Sequence, residues 1–121
     1  MVDRDADQRR KALRRGQFSE YLAALSLMLR GYHILAMRYR VKAGEIDIIA
    51  RKGELIACVE VKARRSLDES VFAVSSLSQR RIRAASDLWL SSQTDAHRLS
   101  IRYDIVSVTP WRWPVHLPDA F

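Results

Sequence analysis

The sequence, 121 residues long, predicts an α/β domain: a mixed β-sheet flanked by helices in the order α-β-β-β-α-β. Three observations lead there. Apolar residues recur at the helical period over 17–30 and again over 79–90. They alternate with period two over 45–50, 55–62 and 99–108. The second helix lies between the third strand and the last, a crossover that makes those two strands parallel.

The first helix carries Phe18, Leu22, Leu25 and Leu29 on one stripe and Ala24, Leu27 and Met28 on another, so burial over much of its surface is expected. Gly31 is the expected stop. A first strand follows over 32–39, centred on Ile34 and Leu35. Strands 45–50 and 55–62 flank Arg51-Lys52-Gly53-Glu54, which reads as a tight hairpin turning at Lys52-Gly53. The stretch 63–78, with several serines and little periodicity, reads as a loop or lid. The helix over 79–90 has Ile82, Ala85 and Trp89 inward, with Arg80 and Arg83 directed elsewhere; a turn at 93–97 leads into the last strand. One domain is expected over 16–121, preceded by a charged segment, 1–15, that is flexible or helical only where it joins the next element.

Net charge is +7, a surplus that favours polyanionic partners, nucleic acid above all. The single cysteine, Cys58, excludes an internal disulfide and a zinc–thiolate cluster, and the three histidines have no ligand spacing. The charged N-terminus lacks the apolar core of a secretory signal, and no apolar run approaches the ~20 residues that span a bilayer. A cytoplasmic protein without membrane contact is expected.

The chemistry is concentrated in the hairpin. Period-two alternation puts Glu45, Asp47 and Ile49 on one face and Ile46 and Ile48 on the other; Glu60 and Lys62 share a face opposite Val59 and Val61. With the turn at Lys52-Gly53, Asp47 lies opposite Cys58 and Glu45 opposite Glu60. Ile46, Ile48, Val59 and Val61 then form one apolar face, and Glu45, Asp47, Glu60 and Lys62 converge on the other. Crowded carboxylates repel one another, and a divalent cation resolves the conflict. Mg²⁺ accepts one or two carboxylates and leaves room for a phosphate oxygen. The bland alternative is a surface Glu60–Lys62 ion pair worth ~0–1 kcal/mol.

An acid on one strand followed by acid-x-lysine on its hairpin partner resembles the PD-(D/E)xK nuclease superfamily. More closely, the chain resembles the YraN-type family of small uncharacterised bacterial proteins. The likeness runs through Gly44-Glu45-Ile46-Asp47-Ile48-Ile49-Ala50, Val59-Glu60-Val61-Lys62-Ala63-Arg64, Glu20, Gly31-Tyr32, Arg102-Tyr103-Asp104 and Ala120-Phe121, and extends from about Gly16 to Phe121. The resemblance implies a restriction-endonuclease-like fold, kinship with Holliday-junction resolvases, and a Mg²⁺- or Mn²⁺-dependent endonuclease acting on DNA in preference to RNA, including branched or structured DNA. It also implies that an acid on the first helix, here Glu20, joins the metal site, and that Gln79 contacts phosphate. The chain departs from the family pattern at Ser78, where lysine often precedes Gln-Arg-Arg, and at Phe72-Ala73, where Phe-Gly is usual.

Asp47 and Glu60 are thus the expected metal ligands, with Glu20 and Glu45 in support and Lys62 beside the attacking water. Arg64, Arg65, Gln79, Arg80 and Arg83 are the expected nucleic-acid contacts. Glu20 has a second reading as a first-turn acid favoured by the helix dipole. Arg102 and Asp104 read as a structural ion pair. Trp111 and Trp113 either stack on bases or, with the prolines and Phe121, close the core. A homodimer would suit a two-fold junction. Two rival functions are a non-catalytic nucleic-acid-binding module on a nuclease fold and a protein-interaction adaptor.

Overall fold

A computed structural model describes residues 4–67 and 74–121. Its elements are α1 (Arg4–Leu29), β1 (His33–Val41), β2 (Gly44–Lys52), β3 (Leu55–Ala63), α2 (Ser76–Ser91), a 3-10 turn (Ala96–Arg98), β4 (Ser100–Val108) and β5 (Val115–Leu117). The strands form one sheet in the order β1-β2-β3-β4-β5. The pairs β1–β2, β2–β3 and β4–β5 are antiparallel, and β3–β4 is parallel, as the crossover predicts. Strand β5 is additional to the predicted order.

Helix α1 covers one face of the sheet. It continues through the boundary drawn at residue 15, and it ends at Gly31, whose φ of 93° suits the left-handed cap. There the Tyr32 amide donates to the Leu27 carbonyl and the Gly31 amide to that of Met28, both at 3.0 Å, which closes the helix end. Contrary to the expectation of general burial, only a narrow stripe faces inward. Ala23, Ala24 and Leu27, with Ser19 and Ser26, are buried, whereas Phe18, Tyr21, Leu25, Met28 and Leu29 are exposed. A single sheet face covers one side of a helix, and small residues on that side bring the two surfaces close.

Helix α2 covers the opposite face, burying Ile82, Ala85 and Trp89 against Ile46, Ile49, Ile56 and Cys58. It begins three residues before the predicted start at 79, because Ser75 caps it: the Ser75 hydroxyl accepts from the Ser78 amide at 3.1 Å. The serines read as loop are therefore partly a helix start; the Phe72-Ala73 position lies outside the described residues. Gly44 fits tightly under this helix, since a Cβ there would stand 2.0 Å from the Arg81 carbonyl oxygen.

Two further corrections concern the hairpin. Lys52 pairs with Leu55, so the loop is Gly53-Glu54, with Gly53 supplying the positive φ of 63° that a two-residue loop requires. The register is accordingly Ile48↔Val59 and Ile49↔Cys58, and Asp47 falls in line with Glu60 rather than Cys58. The faces also change midway. Ile48 packs under α1 with Val59, but Ile46 packs under α2. On the neighbouring strand Met37 goes with α1 and Tyr39 with α2. Between these pairs Arg38 lies opposite Asp47 and holds a φ of 54°, and that left-handed step interrupts the alternation.

The tail is secured by Asp104, which is 0% exposed. Its carboxylate accepts from Arg102 Nε and Nη2 at 2.8 and 2.7 Å, lies 2.7 Å from His116 Nε2, and accepts from the Asp119 amide at 2.9 Å. Arg102 also donates to the Tyr32 hydroxyl at 2.9 Å. Phe121 stacks on Tyr103, with ring centroids 5.6 Å apart, so it closes the core, while Trp111 and Trp113 stay at the surface. Burial alone would push the Asp104 carboxyl up, but the bonds from Arg102, His116 and Asp119 prevail and hold it at about 2. A carboxyl lowered in the folded state stabilises fully above the ordinary carboxylate range and loses that contribution as pH falls through the folded value. Urea unfolding of the wild type should therefore weaken steadily from pH 4 to pH 2. Asp104→Ala should cost about 3–5 kcal/mol at neutral pH by stranding Arg102 and His116. An unchanged midpoint for Asp104→Ala would show that the latch contributes nothing.

Candidate active site at a fork in the sheet

The β2–β3 ladder ends at Ile48↔Val59. Beyond it β3 continues beside β4 as far as Ala63↔Val108, while the start of β2 stays with β1, so the sheet forks. Asp47 stands on one prong, and Glu60 and Lys62 on the other. The Val61 amide, which has lost its ladder partner, donates to Asp47 Oδ2 at 2.8 Å. Lys62 Nζ lies 3.2 Å from Glu60 Oε1, and the two side chains are only 14% and 16% exposed, too enclosed for an ordinary surface ion pair.

Burial pushes the Asp47 carboxyl up to about 7, reinforced by the charges of Glu60 and Glu20 and opposed by the Val61 amide and Lys62. Burial raises Glu60 as well, against the opposing pull of Lys62. Asp47 and Glu60 therefore share a low-dielectric space in which both anions are disfavoured.

The remaining acids flank this pair. Glu20, on α1, receives Arg38 Nε at 2.5 Å. That bond is the main reason Arg38 holds its proton more firmly than usual. Glu45 is more exposed and pairs with Arg40 at 3.6 Å; with Glu60, Ser78 and Arg81 it rims a small cleft of about 40 Å³. Among the described residues no three His, Cys, Asp or Glu side chains converge as a ready-made cage for an ion. What the fork offers is two partly buried carboxylates, a number that matches the usual Mg²⁺ requirement.

The expected nucleic-acid contacts are spread more widely. Arg64 and Arg65 are exposed where β3 leaves the fork, and the Arg64 amide donates to the Val108 carbonyl at 3.2 Å. Gln79 donates its side-chain amide to the Val74 carbonyl at 3.3 Å, tying down the approach to α2. Arg80 is exposed. Arg83 lies over the Tyr103 ring, 4.4 Å from its centroid, beside Cys58 and further from the prongs. Burial pushes the Cys58 thiol up to about 12, which leaves it inert.

Sequence reasoning misses Arg38, whose role depends on a tertiary contact and a backbone conformation that leave no periodic trace. It also misses Gly44 as the seat of α2; the glycine before Glu45 is a signal that a close approach could have explained.

A family model described as "Uncharacterised protein family UPF0102" matches residues 19–108. The chain is 70% identical over 120 residues to a UPF0102 protein of Rhizobium meliloti (strain 1021), covering 99% of this chain and 98% of the relative. A UPF0102 protein of Sinorhizobium medicae (strain WSM419) is 69% identical over 120 residues, with the same coverage. One of Mesorhizobium japonicum is 58% identical over 121 residues, covering 100% of this chain and 97% of the relative. Among the described residues no helix is long and apolar enough to cross a membrane.

A carboxyl raised in the folded state has the opposite pH signature from Asp104. Its relative stabilisation is present below the unfolded value and is lost as pH climbs through the folded value, here about 7. Asp47→Asn keeps an oxygen for the Val61 amide and removes the charge. It should be more stable than wild type by roughly 1–3 kcal/mol at pH 8, with the difference vanishing near pH 3. Urea midpoints at the two pH values check this, and equal stability at pH 8 would mean the carboxylate is not strained.

Proposed function

The chain belongs to the uncharacterised protein family UPF0102, and from that premise we propose that it is a metal-dependent nuclease that hydrolyses phosphodiester bonds in DNA. The observation that carries the reading is the partly buried pair Asp47 and Glu60 across the fork, with Lys62 Nζ 3.2 Å from Glu60. Asp47 and Glu60 would hold Mg²⁺ or Mn²⁺, with Glu20 and Glu45 as outer acids that fix the arginines around them. The ion would supply Lewis-acid chemistry, drawing electron density from the phosphoryl group.

The chain's own residues supply the rest. The Val61 amide fixes the orientation of the Asp47 carboxylate, so little reorganisation is needed when the site fills. Lys62 carries an ammonium to the reacting phosphate, where it orients the incoming water and offsets charge on phosphorus during in-line displacement. Partial burial of the two carboxylates reduces the screening of these interactions by water. Arg64, Arg65 and Arg80 bring exposed positive charge to the phosphate backbone. DNA is the proposed substrate in preference to RNA, and a two-fold junction would require two copies of the chain.

The test uses duplex, single-stranded and four-way-junction DNA, each with Mg²⁺ or Mn²⁺. The wild type should cleave at least one. Asp47→Ala and Glu60→Gln should each lose about 100-fold or more, and Lys62→Met a comparable amount. Mg²⁺ should also raise the melting temperature of the wild type, since a ligand that binds only the folded state stabilises it, and should leave Asp47→Ala unmoved. Cleavage that persists in Asp47→Ala would point to a contaminant and remove the enzymatic reading.

A further inference from the structure

Next to the fork, α1 and the ends of β3 and β4 border an apolar groove of about 770 Å³. Phe18 and Leu22 line it from α1, Trp111 and Trp113 from the turn between β4 and β5, and Arg64, Arg65 and Arg112 carry its charge. No carboxylate is among its described lining residues. Trp111 is 103% exposed and Trp113 is 51% exposed. A fully exposed indole adds nothing to the core, yet Trp111 also holds a φ of 62°, a conformation costly for a bulky side chain. Folding gives no reason for that residue at that position. The groove begins where β3 runs out of the candidate site: Arg64 follows Lys62 by two residues, and Ala63 and Val108 pair at the groove's edge.

We propose that this groove binds unpaired nucleotides, with bases stacked on Trp111 and Trp113 and backbone phosphates held by Arg64 and Arg112. Every base has a flat π-face, so an exposed indole accepts any of them, and arginines beside it track the backbone. In a duplex those faces are already covered by neighbouring pairs. The groove therefore selects DNA with a single-stranded stretch, and this refinement rests on the nuclease reading of the neighbouring site. A second copy of the chain suits the groove less well, because a symmetric contact would bring like-charged arginine rims together.

The experiment measures fluorescence anisotropy of the full chain with a short labelled oligothymidylate and with a blunt duplex of equal length, in EDTA so that nothing is cut. Trp111→Ala should weaken oligothymidylate binding about ten-fold, Trp111→Phe should restore most of it, and duplex binding should not change. Trp111 is fully exposed, so a thermal melt should find the fold of the alanine variant intact. The proposal is overturned if the wild type does not bind oligothymidylate, or if Trp111→Ala binds it as well as wild type. It is also overturned if sedimentation finds a dimer that Trp111→Ala dissociates, since the groove would then belong to a second copy. Asp47→Ala serves as the separating control. Should it bind oligothymidylate normally while no protein cleaves any substrate, the groove stands and the nuclease reading falls.

Discussion

The fork depends on one hydrogen bond, from the Val61 amide to the Asp47 carboxylate at 2.8 Å. A β-ladder normally pairs every amide with a backbone carbonyl, and an unpaired buried amide is expensive. Where β2 leaves β3 after Ile48↔Val59, the Val61 amide would be stranded. The Asp47 side chain takes over the missing backbone role. The strands can therefore separate without loss of a bond, and the separation opens space for Glu60 and Lys62 between them. Backbone on the other side cooperates. Arg38, opposite Asp47 and at φ 54°, rotates the alternation so that Ile46 goes under α2 while Ile48 stays under α1.

Charge is then distributed by pairs. Glu20 has Arg38 at 2.5 Å, Glu60 has Lys62 at 3.2 Å, and Glu45 has Arg40 at 3.6 Å. Asp47, in the middle, is held by a neutral amide. The four acids thus differ in role although the sequence presents them as one cluster. Glu20 and Glu45 anchor arginines on the two sides, and the space between the prongs is left to Asp47 and Glu60. The same positioning depends on α2 lying close over β2, which the bare Gly44 backbone permits beneath the Arg81 carbonyl.

Most of this layout is legible in the sequence, and the failures share a physical origin. Acid-x-lysine on one strand and an acid on its partner are local patterns, and strand period alone brings them near each other. The parallel pairing of β3 and β4 follows from the intervening helix, and the stop at Gly31 from the demand for a left-handed cap. Register is different. It depends on which two residues form the loop, and Arg51-Lys52-Gly53-Glu54 admits more than one choice, so Asp47 is easily set against Cys58 instead of in line with Glu60. The exposed stripe of α1 is missed because periodicity reports that a helix has apolar residues, not how much surface exists to cover them. Strand β5 is too short, at three residues between prolines, to alternate visibly.

Two aspartates in the same sheet are held in opposite ways. Asp104 is completely buried, yet donors from Arg102 and Asp119, with His116 against it, hold it at about 2. The fold is therefore able to satisfy a buried carboxylate fully when that carboxylate is structural. Asp47 receives one amide, faces Glu60 across the fork, and is pushed up to about 7. Arg38 lies opposite Asp47 on β1, but its guanidinium turns to Glu20 instead. Asp47 is thus compensated by less positive charge than Asp104, although Arg38 is close by. On the proposed nuclease reading, Asp47 and Glu60 would hold a divalent ion that supplies the missing positive charge, and Lys62, already beside Glu60, would face the phosphate.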